Sequence, residues 1–240
     1  MIPKTIFYAW FGPNPLPEDV KKNINNWKKL NPDFVVKRIN EESFDINKYK
    51  FTKEAYDAKD WVFIVDVARL ETIYKNGGFY LDTDVELIKP LSEFIDNKSV
   101  WALEDSDAIN PGSMFGAQTR DDDISNILDI YKNKHYISGS DDMISVPIVS
   151  NYFFKKGFKV KNKKQYLSNK TLILPTDYFT PFHYWGGGHI TKRTVGIHRF
   201  KGSWKDGTLK TSFRVKRQLV LLFPGLYYGV RRFREKLKQR

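Results

Sequence analysis

The sequence contains no cysteine. This absence excludes a disulfide framework, a thiolate zinc site and a cysteine nucleophile, and it is compatible with a reducing compartment. The chain opens directly into a strand-like run, with no basic segment followed by an apolar one, so we expect no secretory signal and a cytoplasmic location.

Two phosphate-binding signatures are also missing. The sequence has neither Gly-x-x-x-x-Gly-Lys-Ser/Thr nor Gly-x-Gly-x-x-Gly, which excludes the usual glycine-rich cradles for nucleotide diphosphates. No Ser/His/Asp set stands at a spacing that would support a hydrolase triad. The apolar run at 219–230 is interrupted by Pro224-Gly225 and falls short of the roughly 20 residues needed to span a bilayer.

Acidic residues are scarce at the end of the chain. The net charge is +12, of which residues 212–240 contribute +8, from nine Lys/Arg against one acid. Residues 1–211 carry 31 basic and 27 acidic residues, or +4, which argues against a nucleic-acid binder. We therefore divide the chain into a globular domain at 1–211 and a basic tail at 212–240.

The tail has one apolar helical face, formed by Leu226, Val230, Phe233 and Leu237. With arginines and lysines opposite, this pattern predicts a basic amphipathic helix on an anionic membrane, peripheral to the inner face of the plasma membrane. The alternative is a helix that packs on its own domain or on the second subunit of a homodimer.

Apolar and polar segments alternate along the domain as strands and helices do in an α/β protein. The pattern predicts a mixed sheet flanked by helices. The strands are expected at 5–11, 34–36, 79–81, 85–88, 100–103, 172–174 and 194–197. The helices are expected at 17–30, 52–59, 60–76, 91–96, 121–131 and 142–155, and 110–116 is expected to be a loop that approaches a ligand.

Two carboxylates, Asp82 and Asp84, follow the apolar strand at 79–81. On a regular strand they would point the same way, and in a turn they would still be near enough to share a cation. Oxygen ligands of this kind select Mg²⁺ or Mn²⁺, which proteins usually hold together with substrate phosphates. The pair therefore predicts a site for a metal diphosphate at a strand's carboxyl end.

Four further residues are candidate partners of this pair. Asp66 and Arg69 lie on one face of an apolar helix. They either form a structural salt bridge or bind a ligand together. His198 is either a structural histidine or a metal ligand, and imidazole suits Mn²⁺ better than Mg²⁺. Trp10 either packs in the core or offers its ring for a base to stack on.

Four blocks follow one another along the chain: Ile2-Pro3-Lys4…Trp10-Phe11-Gly12, Asp66-x-x-Arg69, Gly77-Gly78-x-Tyr80-Leu81-Asp82-x-Asp84 and Ile197-His198…Ser203-Trp204. In this order they resemble glycosyltransferase family 32, the Asp-x-Asp sugar-binding group that includes bacterial capsular and exopolysaccharide transferases. A more distant similarity is to the glucosyltransferase domains of large clostridial toxins. The resemblance implies a GT-A (Rossmann-like) fold, a UDP-sugar donor, Mn²⁺ with Mg²⁺ as the alternative, and transfer with retention of configuration.

The resemblance also implies a role for each matching residue. Trp10 would stack on uracil and Tyr80 would line the nucleotide site. Asp66 and Arg69 would hold the donor sugar. Asp82 would face ribose, sugar and metal, and Asp84 would ligate the metal.

The remaining roles lie later in the chain. His198 and Ser203 would complete the metal and phosphate shell, and Trp204 would close over the diphosphate. On the acceptor side, Asp141 and Asn110 are candidates by position.

Together these features predict a membrane-peripheral, Mn²⁺-dependent retaining hexosyltransferase. It would act on a polyprenyl-diphosphate-linked glycan in capsular or exopolysaccharide synthesis. The alternative is a non-catalytic, membrane-docked module that binds a nucleotide-sugar or a glycan. Donor sugar, acceptor, linkage and the choice between same-face attack and double displacement stay open.

Overall fold

The computed structural model describes residues 1–140, 144–167, 170–183 and 187–201. The predicted tail at 212–240 lies outside these residues. The strands are β1 (Thr5–Ala9), β2 (Val35–Ile39), β3 (Gly78–Tyr80), β4 (Val85–Leu87), β5 (Ser99–Asp105), β6 (Ala108–Ile109), β7 (Phe115–Ala117), β8 (Gln165–Tyr166), β9 (Thr171–Leu174) and β10 (Gly196–His198). The α-helices are α1 (Glu18–Leu30), α2 (Lys50–Asp57), α3 (Trp61–Asn76), α4 (Asp122–Lys132) and α5 (Ser145–Lys155).

The main sheet is mixed, with the strand order β2-β1-β3-β7-β5-β9-β8, and β6 adds to β5. Strands β1, β2 and β3 run parallel, β7 is antiparallel to both β3 and β5, and β9 is parallel to β5. The carboxyl ends of β1, β3, β5 and β9 therefore meet at one edge, which we call the C-terminal edge. A short second sheet pairs β4 with β10.

The sheet separates two apolar layers because successive side chains on a strand point to opposite faces. On β1, Phe7 and Ala9 face a core shared with α2, α3, α4 and α5, whereas Ile6 and Tyr8 face a core shared with α1. On β3, Tyr80 faces the first layer and Phe79 the second. The sheet is thus covered on both faces, as the alternating pattern of strands and helices predicts.

Helix α3 is buried on nearly all sides, and it carries charged residues within that buried surface. Asp66, Arg69 and Glu71 are each less than 5% exposed. Asp60 occupies the position before the helix, but its carboxylate makes no capping hydrogen bond and accepts instead from the Tyr136 hydroxyl at 2.8 Å. The helix ends at Gly77, whose φ of +65° suits glycine, and a Cβ there would lie 2.7 Å from Pro3.

Two local predictions are wrong. The predicted helix at 91–96 is a single 3₁₀ turn at Ser92–Phe94. Part of the predicted loop at 110–116 is β7, which lies between β3 and β5 with every residue buried. Its glycine, Gly116, suggests a loop by composition, yet it is required in the strand because a Cβ would lie 2.5 Å from the Phe79 ring.

None of the helices within the described ranges is long and apolar enough to cross a membrane.

Candidate functional site

The two aspartates lie in a turn and not on a strand. The Val85 amide donates to the Asp82 carbonyl at 3.0 Å, which closes a tight turn between β3 and β4. The Asp82 amide donates to the Gly112 carbonyl at 2.9 Å, which ties this turn to the loop before β7. Of the two geometries open from the sequence, the turn is therefore the one observed, and it stands at the C-terminal edge.

Strand β10 brings His198 to this turn. His198 is opposite Val85 in the antiparallel pair, and its Nε2 lies 3.1 Å from Asp84 Oδ1. The other carboxylate oxygen of Asp84 accepts the Lys201 amide at 2.9 Å. Burial acts to raise the pKa of Asp84, but the hydrogen bond and charge of His198, together with backbone amides, outweigh it and hold this pKa below its usual value. Burial acts to lower the pKa of His198, and Asp84 outweighs that effect and raises it.

Asp82, Asp84 and His198 each offer a ligand atom, and these atoms lie within 4.8 Å of one another. Opposite ligands of one small divalent cation are about 4 Å apart, so a slight inward movement would let all three contact one ion. His198 Nδ1 is buried and has no hydrogen-bond partner among the described residues. Two carboxylates and one imidazole are also a donor set that Mn²⁺ accepts. The residues present therefore fit a divalent metal.

Arg69 connects the buried helix α3 to the aspartate turn. Its guanidinium forms an ion pair with Asp66, and its Nη1 lies 3.6 Å from Asp82 Oδ1. Nη2 also donates to Ser145 Oγ at 2.6 Å, at the start of α5. Burial disfavours the charge on Arg69, but Asp66 and Asp82 outweigh it and raise its pKa, so the side chain stays cationic.

Tyr80 completes this arrangement from β3. Its hydroxyl donates to Asp82 Oδ1 at 2.9 Å, and the Arg69 guanidinium carbon lies 5.6 Å from the centre of its ring. Burial, followed by the charge of Asp82, raises the pKa of Tyr80 well above 10, so the phenol remains a hydrogen-bond donor. Asp82 is thereby oriented by two side chains while 32% of its own side chain stays exposed.

Trp10 follows β1 at the same edge. Phe7 is opposite Tyr80 in the parallel β1–β3 pair, so Trp10 and the aspartate turn both follow the carboxyl ends of neighbouring strands. The side chain is half-buried, and its indole N–H donates to the Asn14 carbonyl at 2.7 Å. Trp10 is therefore near the turn, with part of its surface accessible.

Asn110 shapes the loop beside Asp82. Its Oδ1 accepts the Gly112 amide at 2.7 Å, and its Nδ2 donates to Glu104 at 2.6 Å. A Cβ on Gly112 would lie 2.1 Å from Asp82 Oδ2, so any other residue there would displace this carboxylate. The observed contacts of Asn110 are thus with the loop that supports Asp82.

Three sets of contacts that support the site could not be predicted from the sequence. Ser145 was not singled out because one serine before an apolar helix gives no signal of its partner. Gly112 carried no signal beyond its place in a turn-like segment. Asn23 on α1 donates to the Thr83 carbonyl at 2.9 Å, and Trp27, one turn later, donates to the Val85 carbonyl at 2.9 Å. Their i, i+4 spacing puts both on one face of α1, but it cannot show which carbonyls they bond.

Three of the predicted site residues, Asp141, Ser203 and Trp204, lie outside the described residues. The structure brings together the other predicted residues of the central block. These are Asp66, Arg69, Tyr80, Asp82, Asp84 and His198.

Comparison with known proteins agrees with this arrangement. Residues 17–101 match the family model of the glycosyltransferase sugar-binding region containing a DXD motif. This range includes α1, α3 and the aspartate turn. The chain is a glycosyltransferase similar to family 32. Divalent metal and nucleotide-sugar use are what this DXD family suggests, and a glycan acceptor is what its reaction implies.

One solved structure supports a GT-A fold for this chain. The PaToxG glycosyltransferase matches with a TM-score of 0.52 and 16% identity, over 64% of this chain and 68% of that one. A glycosyltransferase involved in the glycosylation of the major capsid of PBCV-1 matches with a TM-score of 0.44 and 13% identity, over 90% of this chain and 98% of that one. A search of the curated proteins gave no significant match.

Proposed function

We propose that this glycosyltransferase moves a hexose from a UDP-sugar to a glycan acceptor with retention of configuration and with Mn²⁺ as its metal. The observation that carries the proposal is the convergence of Asp82, Asp84 and His198 within 4.8 Å at the C-terminal edge. Ligands bind at this edge in open α/β sheets. The imidazole favours Mn²⁺ over Mg²⁺, which keeps more of its waters and prefers oxygen.

Asp84, Asp82 and His198 would hold the metal. When bound, the ion supplies Lewis acidity that offsets the charge growing on the diphosphate leaving group. The chain has no glycine-rich phosphate cradle, so this neutralisation falls to the metal and to nearby cationic side chains.

Arg69 and Asp66 would hold the donor sugar. Arg69 is buried, stays cationic and lies 3.6 Å from Asp82 Oδ1, so it would supply a fixed positive charge beside the diphosphate and sugar. Such preorganised charge stabilises a developing anion without the reorganisation that water would need. Asp66 and Ser145 keep the guanidinium in position.

Tyr80 and Trp10 would define the nucleotide end of the site. Tyr80 holds Asp82 through a 2.9 Å hydrogen bond, and Trp10 offers a half-buried ring at the same edge for uracil to stack on. Ser203 and Trp204 would close over the diphosphate. Asp141 and Asn110 would lie on the acceptor side.

The acceptor in this proposal is a polyprenyl-diphosphate-linked glycan of capsular or exopolysaccharide synthesis. A basic amphipathic tail at 212–240 would hold the enzyme on the inner face of the plasma membrane, where such a lipid-linked acceptor resides.

Turnover of nucleotide-sugars tests the proposal. The purified protein is screened with UDP- and GDP-sugars, with and without Mn²⁺, for release of the nucleotide diphosphate. We expect slow Mn²⁺-dependent hydrolysis of a UDP-sugar, and a loss of about 1,000-fold or more in Asp84→Ala because several kcal/mol of charge stabilisation disappear.

Asp122→Ala is the matched control, because Asp122 is an exposed aspartate on α4, and its activity should match the wild type. Saturable binding without any turnover would indicate a non-catalytic module instead. If no nucleotide-sugar is bound or turned over with any divalent ion, the proposal is wrong. The anomeric configuration of a transferred sugar, read by NMR, tests retention.

A further inference from the structure

One flank of the domain carries a concentration of positive charge that the overall composition conceals. From 144 to 176 the sequence has seven lysines and no acidic residue, which is +7. Residues 1–211 total +4, so the rest of that domain is −3. The net charge of the domain is therefore small because a basic segment and an acidic remainder nearly cancel.

The lysine flank, as we call this surface, consists of the end of α5, the connection to β8, and β8 with its turn. Its members are Lys155, Lys156, Lys159, Lys161, Lys163, Lys164 and Lys170. All seven are exposed. Within the described residues none of the seven forms an ion pair with a carboxylate.

The segment is held in a fixed shape by its own polar contacts. Gln165 bonds both backbone groups of Lys159, accepting its amide and donating to its carbonyl, each at 3.0 Å. Asn162 exchanges two hydrogen bonds with Thr176, at 2.8 and 2.9 Å. The backbone that carries Lys159, Lys161, Lys163 and Lys164 is therefore hydrogen-bonded to neighbouring residues at several points.

Protection of an edge strand is the simplest structural reason for lysines at this place, because a charge or two prevents edge-to-edge pairing. Strand β8 is Gln165–Tyr166, and it contains no lysine. All seven lysines lie before or after it, so edge protection leaves most of this charge unexplained.

Aromatic side chains are exposed among the lysines. Tyr166 is 64% exposed and Phe154 is 36% exposed. Lysines interleaved with accessible aromatic rings match the chemistry of a bilayer interface, where ammonium groups meet anionic headgroups and rings sit at headgroup depth. A duplex nucleic acid would gain from the same charge, but it offers no apolar layer to the exposed rings of Tyr166 and Phe154.

The flank also reaches the edge at which the site lies. Lys164 lies 5.4 Å from the centre of the Tyr178 ring, and Asn162 contacts Thr176, both directly beyond the carboxyl end of β9. A membrane bound here would thus lie beside the C-terminal edge and its aspartate turn.

We propose that the lysine flank is a docking surface for anionic phospholipid membranes, formed by the folded domain and separate from the tail at 212–240. The docking does not depend on the proposed reaction, although it would bring a lipid-linked acceptor to the site.

Vesicle binding by the full chain tests this proposal. The flank variant is Lys159→Gln, Lys161→Gln, Lys163→Gln, which avoids the lysines that contact aromatic rings. The control is Lys22→Gln, Lys28→Gln, Lys29→Gln, which removes the same charge from exposed, unpaired positions on α1. Both variants keep the tail, so the difference between them reports the flank alone. The probes are phosphatidylglycerol–phosphatidylcholine vesicles and vesicles of phosphatidylcholine alone.

Each lysine at an anionic surface contributes about fivefold in affinity, so the flank variant should bind mixed vesicles on the order of 100-fold more weakly. The control should stay within about twofold, and phosphatidylcholine vesicles should bind weakly in all cases. Equal losses in both variants, or no loss in the flank variant, would overturn the proposal.

Binding of a duplex oligonucleotide to the same variants is the second measurement. If the flank variant loses oligonucleotide affinity while vesicle binding is unchanged, the surface serves nucleic acid and the membrane proposal is wrong. UDP-sugar hydrolysis in solution is expected to be unchanged in both variants. Loss of catalytic activity and loss of membrane binding are therefore measured separately.

Discussion

Two of the three Asp-x-Asp triplets in the sequence lie at opposite edges of the same sheet. Asp82-Thr83-Asp84 is at the C-terminal edge, beside His198 and Arg69. Asp121-Asp122-Asp123 is at the other edge, where Asp121 caps α4 by accepting the amides of Asp123 and Ile124 at 3.0 and 3.2 Å. The residue types and the spacing are the same in both.

The partners of the two triplets differ. Asp123 accepts the Tyr152 and Thr171 hydroxyls at 2.7 and 2.9 Å, and the Asp121 side chain is fully buried. In the first triplet the side chains of Asp82 and Asp84 remain 32% and 16% exposed, next to an imidazole. Carboxylates surrounded by protein donors stabilise the fold, whereas those left accessible beside a further ligand can bind an ion.

The largest expected loss of stability comes from replacing Arg69, the buried cation beside the Asp82-Thr83-Asp84 triplet. Arg69→Met leaves Asp66 buried without its counter-charge, so we expect the unfolding free energy to fall by about 3–5 kcal/mol. Chemical denaturation monitored by fluorescence measures it. Lys98→Met is the control at the other triplet, where the lysine is partly exposed and should matter by less than about 1 kcal/mol. Similar losses in both variants would remove the distinction between the regions.

Gly112→Ala tests the position of Asp82 alone. The backbone of Gly112 does not have positive φ, so the effect comes from the Cβ, which would lie 2.1 Å from Asp82 Oδ2. A displacement of about 1 Å in a catalytic group costs on the order of 100-fold, and we expect that loss in UDP-sugar turnover. Steady-state kinetics measures it, and unchanged turnover would show that Asp82 need not occupy this position.

Asp123→Ala should lower the unfolding free energy and leave UDP-sugar turnover unchanged. It removes the buried carboxylate that accepts the Thr171 and Tyr152 hydroxyls and leaves Thr171 with Ser99 Oγ at 3.0 Å, a loss of about 1–3 kcal/mol in unfolding free energy. Thermal unfolding and turnover are measured on the same sample. A fall in turnover larger than the fall in folded fraction would place this triplet in the reaction, against our account.

The smallest effect is a pH dependence at the second triplet. Burial raises the pKa of Asp121 to about 6, so the folded state binds its proton more tightly than the unfolded state. The stability from this group is complete below the unfolded pKa of about 4 and is lost as pH rises through about 6. Between pH 5 and 7 the loss is about 1 kcal/mol.

Asp121→Asn keeps a capping oxygen and should abolish that loss. The stability difference between variant and wild type should therefore shift in the variant's favour as pH rises. A difference that stays constant from pH 5 to 7 would show that Asp121 titrates outside this range.

The sequence predicted the parts of the fold that depend on local pattern. Helix α3, its stop at Gly77 and the aspartates after a buried strand follow from periodicity and turn chemistry. Strand β7 could not be predicted from local pattern, because three residues with a central glycine form a strand only when β3 and β5 are on either side. Tertiary pairing decided this element.

The site was predictable to the extent that its residues have distinctive chemistry. Asp82, Asp84, Arg69 and His198 are recognisable by type and context. Ser145 and Gly112 act through contacts across the fold, which spacing along the chain cannot show. The lysine flank was hidden for another reason, since the sum over 1–211 cancels its charge against distant acids.

Mn²⁺ binding, followed by electron paramagnetic resonance with and without UDP, tests the central claim most directly. The wild type and Asp123→Asn are predicted to bind one Mn²⁺, more tightly when UDP is present, and Asp84→Asn is predicted to lose this binding. Equal Mn²⁺ binding by Asp84→Asn and the wild type would contradict the assignment of the metal to the aspartate turn.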